Sequence, residues 1–231
     1  NHDMPRALSR FGDEGKYRQK SAKMLATLMY LQWGLPILLQ GEEIGMVNLK
    51  LPRLQDYEDP SIKGLATIAK KKGYAEEEIL KMVQQRSKDT SRGAMQWNND
   101  RYGGFSTYAP WLGINEDTRT VNVAAQEKDP GSVLHYYRKL IELRKSMPVF
   151  TAGSWEMLAD EDPDIYAYIR KHEGSCAMIV CNTSKKLQTF TCPELTRHRW
   201  ACLLNNNGYH SKAVPSKLVL SPFECFVLLQ E

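Results

Sequence analysis

Three adjacent side chains with acid–base and hydrogen-bonding capacity stand at the start of the sequence. Asn1, His2 and Asp3 bring together an amide, an imidazole and a carboxylate. A carboxylate beside a neutral donor can bind two vicinal hydroxyl groups of a sugar, and it can stabilise a developing oxocarbenium ion. The same residue types also build Asx turns and helix caps. On spacing alone, the structural interpretation is favoured over the catalytic one.

Two later segments carry groups that a sugar site would use. Glu42 and Glu43 follow a short apolar run, where a barrel would have its catalytic face. A functional role there is as well supported as a structural role in beginning a helix. Residues 92–100 mix a cation, amides and a carboxylate with an aromatic ring. Trp97 and Trp111 can stack on sugar faces, but they are equally typical of packing between domains. None of these patterns identifies an activity by itself.

The composition argues against several classes of protein. The 231 residues carry 31 Lys and Arg against 27 Asp and Glu, and this net charge of +4 is too small and too mixed to favour nucleic acid. No run of about 18 apolar residues predicts a membrane span. The five cysteines form no CxxC pair, so buried free thiols are favoured over disulfides. The five histidines lack metal-ligand spacing, and no metal site is predicted.

Hydrophobic periodicity predicts two main helices. Residues 16–33 and 129–147 place apolar side chains at helical spacing, and a proline follows each segment within a few residues. Residues 49–91 predict an insertion of two short helices, because a capping Asp-Pro-Ser and a first turn of acids begin them. The short apolar run at 37–39 follows an amphipathic helix and predicts a buried parallel strand.

The pattern changes near residue 149. Short β-type runs separated by turn residues continue to the end of the chain, and this spacing predicts an antiparallel sandwich or barrel. We therefore predict two domains, 1–148 and 149–231, the first of which contains the helical insertion at about 49–91.

Taken together and in order, several segments resemble one family. They are "NHDMPRALSRFGDEGKYR", "GLPILLQGEEIGMVN", "RSKDTSRGAMQWNNDRYGGFS" and "VNVAAQEKDPGSVLHYYRKLIELRK". These motifs resemble the C-terminal portion of an α-amylase-superfamily (family 13) glycoside hydrolase. The branch they resemble is that of the α-glucosidases, with oligo-1,6-glucosidase, dextran glucosidase and trehalose-6-phosphate hydrolase.

The resemblance implies an α/β part followed by an all-β part. Residues 1–148 would be the last part of a (β/α)8 TIM barrel, with strands seven and eight and their helices, and residues 149–231 a C-terminal β-sandwich. Asp3 would be the transition-state stabiliser among three working carboxylates, and His2 and Arg92 would bind the same sugar. Glu42 and Glu43 would be structural. No cofactor is implied.

The implied activity is retaining hydrolysis of α-glucosidic bonds in the cytoplasm. Isomalto-oligosaccharides and trehalose 6-phosphate are both candidate substrates. In the family, the nucleophile and the acid/base precede this portion, so the missing N-terminal part of the barrel would be its partner. The isolated chain is expected to be inactive and to expose apolar surface that promotes self-association.

Two alternatives stay open. One is a sucrose isomerase or transglucosidase, in which another acceptor attacks the glycosyl-enzyme. The other is a non-catalytic α-amylase-like interaction protein, which the retained His2 and Asp3 disfavour. The sequence also departs from the usual family pattern around Arg92: Lys88 replaces an arginine, and residues 90–91 and 93–94 differ. These departures bear on the choice of substrate.

Overall fold

The computed structural model describes residues 1–209 and 214–231. The chain forms two compact units. Unit 1 comprises Asn1–Arg10 and Ile37–His135, and unit 2 comprises Phe11–Pro36 and Tyr136–Glu231. Each unit therefore draws on more than one stretch of sequence. The domain boundary near residue 149 stays a prediction.

The described residues contain the following α-helices: α1 (Ala7–Phe11), α2 (Arg18–Tyr30), α3 (Pro60–Lys71), α4 (Glu76–Gln84), α5 (Val123–Glu127), α6 (Val133–Ser146), α7 (Pro148–Thr151) and α8 (Pro193–Arg197). Short 3-10 helices occupy Glu42–Ile44, Leu54–Asp56, Lys88–Ser91 and Glu116–Arg119. The predicted helices within 16–33 and 129–147 are confirmed as α2 and α6.

The two helices predicted within 49–91 are confirmed as α3 and α4, while their status as an insertion stays a prediction. Asp59 caps α3, since its carboxylate accepts from the backbone N–H of Ser61, and Pro60 takes the first helical position. The two helices pack through a small apolar cluster that includes Ile62, Ile79 and Val83. The insertion thus has its own core.

The predicted strand at 37–39 is wrong. Residues 36–40 form no strand, and the Ile37 side chain is 76% exposed instead of buried. A strand needs a neighbour that pairs with its backbone N–H and C=O groups, and no described segment pairs with this one. Among the described residues the first strand begins at Ser154, so barrel strands seven and eight are not formed in this structure.

The strands of unit 2 are β1 (Ser154–Met157), β2 (Ile165–His172), β3 (Ser175–Asn182), β4 (Gln188–Phe190), β5 (Trp200–Asn205), β6 (Leu218–Leu220) and β7 (Cys225–Gln230). They form a five-stranded sheet in the order β1-β2-β3-β7-β5 and a two-stranded sheet of β4 and β6. All of the pairs are antiparallel.

Both sheets of unit 2 contribute to one apolar core. Met178 and Val180 of the larger sheet lie in the same buried cluster as Phe190 and Leu218 of the smaller one. The opposite face of the larger sheet contacts α2 and α7. The predicted antiparallel sheet domain is therefore present. All five cysteines are free thiols; Cys181, Cys192 and Cys225 are buried as predicted, whereas Cys176 and Cys202 are partly exposed.

Candidate functional site

The first three residues form a tight turn. The backbone N–H of Asp3 donates to Asn1 Oδ1 at 2.8 Å, and the backbone N–H of Met4 donates to the Asn1 carbonyl at 3.3 Å. This is an Asx turn, so the structural interpretation of the motif holds for the backbone. The side chains of His2 and Asp3 are nevertheless 69% and 51% exposed. Their polar groups are available to a ligand.

Arg92 binds this turn at two points. Its Nη2 donates to Asp3 Oδ1 at 2.9 Å, and its Nε donates to the His2 carbonyl oxygen at 3.0 Å. The hydroxyl of Ser91 donates to the same carbonyl at 3.3 Å. The three predicted site residues His2, Asp3 and Arg92, which are some 90 positions apart in sequence, are therefore brought together in unit 1.

A fourth residue belongs to the same group. Lys88 Nζ lies 3.6 Å from Asp3 Oδ1, and His2 Nε2 lies 3.6 Å from Asp3 Oδ2. We name His2, Asp3, Lys88 and Arg92 the Asp3 cluster. In the sequence, Lys88 stands out only as a departure from the usual family pattern. The available signal was a second cation four positions before Arg92, on the same short segment.

The electrostatics of the Asp3 cluster favour an ionised carboxylate. Partial loss of hydration raises the pKa of Asp3, but His2, Lys88 and Arg92 lower it, and the net pKa lies below the ordinary value. A carboxylate that stays charged can accept hydroxyl hydrogen bonds and can stabilise positive charge. Because the group is exposed, the attraction is screened by solvent.

Two buried aspartates position the segment that carries Lys88 and Arg92. Asp59 Oδ2 accepts from the backbone N–H of Lys88 at 2.9 Å. Asp89 Oδ2 accepts from the backbone N–H groups of Glu58 and Asp59 at 2.7 and 2.9 Å. The helical insertion is thus fastened to the 3-10 helix that ends beside Arg92.

Glu42 and Glu43 serve their own loop. Glu43 Oε2 accepts from the backbone N–H of Gly41 at 2.7 Å, and Glu42 Oε2 accepts from Leu39 N–H at 3.4 Å. Burial raises the pKa of Glu42, although the bond from Leu39 and the charge of Arg6 oppose that effect. These contacts agree with the structural role that the resemblance implies for this pair.

The polar and aromatic residues after Arg92 have different environments. Gln96 is fully buried, and its amide donates to Asp117 Oδ1 at 3.0 Å and to the Val121 carbonyl at 2.6 Å. Trp97 and Trp111 are 48% and 78% exposed. Gln96 is therefore a structural residue, and neither tryptophan is buried as a packing residue.

The structure also bears on metal binding and on membrane insertion. Within residues 1–209 and 214–231, no three His, Cys, Asp or Glu side chains are arranged to hold a metal ion. No helix in that part of the chain is long and apolar enough to cross a membrane.

Family models divide the chain into two matches. The catalytic domain of α-amylase matches residues 1–153, and the C-terminal domain of maltogenic amylase matches residues 155–227. The chain belongs to the α-amylase family. The resemblance inferred from the motifs is confirmed.

The following relatives and solved structure are similar to this chain. The chain is 38% identical to the probable oligo-1,6-glucosidase 3 of Bacillus subtilis over 99% of its length, and 37% identical to the trehalose-6-phosphate hydrolase of that organism over 98%. It spans 41% of the length of each. The solved structure of the trehalulose synthase of Pseudomonas mesoacidophila MX-45 superimposes with a TM-score of 0.92 at 34% identity, covering 100% of this chain and 42% of that one.

Proposed function

We propose that this chain is the C-terminal portion of a retaining α-glucosidase. The observation that carries the proposal is the contact of Arg92 Nη2 with Asp3 Oδ1, beside an exposed His2, in a member of the α-amylase family. Retaining glycosidases pass through a transition state that resembles an oxocarbenium ion. An ionised carboxylate held by cations at the surface of a loop is suited to bind the sugar that develops this charge.

Each residue has a distinct role in the proposal. Asp3 accepts hydrogen bonds from two hydroxyl groups of the glucosyl unit and stabilises the transition state. His2 and Arg92 donate to hydroxyl groups of the same sugar. The nucleophile and the acid/base, which stand about 5–5.5 Å apart in retaining enzymes, lie in the preceding part of the barrel. The reaction needs no cofactor.

The proposed substrates are small oligosaccharides with α-glucosidic bonds. The Bacillus subtilis relatives named above support α-1,6-linked isomalto-oligosaccharides and trehalose 6-phosphate. We place the enzyme in the cytoplasm, since all five cysteines are free thiols and free thiols persist in reducing compartments.

The substitution Asp3→Asn in the complete protein that contains this segment tests the proposal. With p-nitrophenyl α-glucoside, the loss of one charged transition-state contact should lower kcat about 10²–10³-fold. Asp56→Asn is the matched control, since Asp56 pairs with the exposed Arg53 in the insertion and should leave kcat unchanged. Equal activity of Asp3→Asn and Asp56→Asn would reject the role of Asp3. Absence of turnover by the unaltered protein would favour the non-catalytic alternative.

A second candidate function is glucosyl transfer, because the trehalulose synthase structure superimposes with a TM-score of 0.92. Product analysis with sucrose separates the two functions. A hydrolase releases glucose and fructose, whereas a transglucosidase releases an isomer of sucrose. In either case the isolated 231-residue chain is predicted to be inactive on p-nitrophenyl α-glucoside, because we assign the nucleophile and the acid/base to the part of the relatives' length that this chain does not cover. Turnover equal to that of the complete protein would contradict this.

A further inference from the structure

We propose that Arg6 is a positioning residue that holds Arg92 against the carboxylate of Asp3. The inference rests on the proposed function, in which Asp3 and Arg92 bind one sugar together. Arg6 does not reach the sugar in this scheme. It acts through the backbone on either side of the Asp3 cluster.

Arg6 joins three segments of unit 1 from a buried position. It lies three residues after Asp3, and only 2% of its surface is exposed. Its Nη2 donates to the Ser91 carbonyl oxygen at 3.0 Å, and its Nη1 donates to the Gln40 carbonyl oxygen at 3.0 Å. Its backbone N–H donates to Asn48 Oδ1 at 2.8 Å. The guanidinium thus binds the carbonyl oxygen of the peptide group that directly precedes Arg92.

These contacts close a ring. Asp3 accepts from Arg92, Arg92 follows Ser91, and the Ser91 carbonyl accepts from Arg6, which lies on the same turn-to-helix segment as Asp3. The exposed side of the ring is weak on its own, because solvent screens surface ion pairs. The buried side has charge-assisted hydrogen bonds, which are stronger because little solvent screens them. The buried contact therefore gives Arg6 a share in positioning Arg92, next to the bonds that Asp59 and Asp89 make with the same segment.

Arginine suits this position better than lysine. Two carbonyl groups on separate segments require a planar fork with donors in two directions, whereas an ammonium group is a point charge. Burial lowers the pKa of Arg6, while the charges of Glu42 and Glu43 raise it, and the guanidinium stays protonated. Gly41 lets Arg6 approach this loop closely. A Cβ at this position would lie 3.0 Å from Arg6 Nη1 and would overlap Met46 Sδ, and the φ of 92° also favours glycine.

The test follows the titration of Asp3 in the 231-residue chain. The chain is labelled with ¹³C-aspartate, and the Asp3 carboxyl signal is assigned by its loss in Asp3→Asn. If Arg6 holds Arg92 in place, Arg6→Met moves the Asp3 titration midpoint upward, toward that of an isolated carboxyl group. Arg53→Met, which removes an exposed arginine from another loop of unit 1, leaves the midpoint unchanged. The Arg92→Met variant sets the upper limit of the shift.

A double substitution separates positioning from a direct effect of charge. In the Arg92→Met background, Arg6→Met should produce no further shift, because Arg6 acts through Arg92. An unchanged midpoint in Arg6→Met, or an equal added shift in the double variant, overturns the proposal.

Folding is monitored by circular dichroism on the same samples. If Arg6→Met does not fold, Arg6→Lys decides: it keeps the charge but reaches one carbonyl, so a folded chain with a partial upward shift supports the proposal. An unshifted or unfolded Arg6→Lys overturns it. The titration uses no substrate, so a failed glucosidase assay does not affect its outcome, and a failed titration leaves the proposed activity standing.

Discussion

Unit 1 and unit 2 each bury an arginine, but the two arginines do different work. Arg170 lies in strand β2, and its guanidinium donates to the carbonyl groups of Leu31, Phe150, Gly153 and Ser154. It binds carbonyl groups at the ends of α2 and α7 and at the start of β1, beside a sheet whose strands already pair with one another. Arg6 joins loops that have no sheet around them. Its hydrogen bonds hold these loops together in the absence of backbone pairing between strands.

The same difference extends through both units. In unit 2, six consecutive residues of β3 are buried, because each face of the strand packs on apolar neighbours. In unit 1, buried polar side chains such as Asp59, Asp89 and Gln96 fasten loop to loop. The sheet unit is thus stabilised mainly by apolar burial, whereas the loops around the candidate site depend more on individual hydrogen bonds. Binding groups are commonly placed on such loops.

The largest stability effect is expected in the apolar core of unit 2. Trp200 is 2% exposed and lies in the cluster shared by the two sheets. Trp200→Ala should lower the free energy of unfolding of this unit by about 3–5 kcal/mol, since it leaves a cavity. Hydrogen exchange of β5 and β7 peptides in urea measures this. Trp200→Phe is the control and should lose less. A loss below about 1 kcal/mol would contradict an apolar core as the main source of stability.

A smaller but still large effect is expected in unit 1. Asp89→Ala removes the acceptor for the N–H groups of Glu58 and Asp59 and leaves buried donors unpaired. The cost should be about 1–3 kcal/mol, measured by hydrogen exchange in α3 and by urea unfolding. Asp56→Ala, at a surface pair with Arg53, should cost much less, because solvent screens an exposed ion pair. Similar losses in the two variants would contradict the expectation that the buried hydrogen bonds of unit 1 contribute more to stability than its surface ion pairs.

The sequence predicted regular elements better than it predicted long-range polar contacts. The periodicity of α2, α6 and the insertion helices is local, and so is the alternation of short strands and turns in unit 2. The prediction of a strand at Ile37 is wrong because a strand is defined by its pairing partner, and the local sequence pattern contains no information about that partner. Its apolar residues are the same ones that a paired strand would have.

The candidate site divides in the same way. His2, Asp3 and Arg92 were selected through the family resemblance, and the structure brings them together. Lys88 and Arg6 were missed as members of this arrangement. Arg6 contacts Ser91 across 85 positions of sequence, and nothing in its immediate neighbours marks a buried arginine. Side chains that bind distant carbonyl groups leave no periodic signal.

A moderate, pH-dependent effect is expected at Asp59. Burial raises the pKa of this carboxyl, but hydrogen bonds from Lys88 and Ser61 lower it, and the net pKa is below its ordinary value of 3.8. A lowered folded-state pKa stabilises the protein above the unfolded-state pKa, and this stability is lost as pH falls through the folded-state pKa. Protection of α3 should therefore decrease below about pH 4, as measured by hydrogen exchange corrected for intrinsic rates.

The Asp59→Asn variant checks the source of that dependence. It keeps an N-cap oxygen but removes the titrating group, so the acid loss at α3 should become shallower. Glu58→Gln changes the neighbouring exposed acid and is the matched control. An acid loss of the same steepness in Asp59→Asn and in the unaltered chain would place the titrating group elsewhere in unit 1.

The smallest effect on stability is expected at Trp111, which is 78% exposed. Trp111→Ala should change the free energy of unfolding by less than about 0.5 kcal/mol, because little surface is buried on folding. The same change at Trp200 removes a core side chain, so the two variants form a matched pair across the units. An exposed indole instead promotes association between molecules, and light scattering should show less self-association in Trp111→Ala than in the unaltered chain. A stability loss comparable to that of Trp200→Ala would mean that the loops of unit 1 are held by aromatic packing rather than by their buried polar contacts.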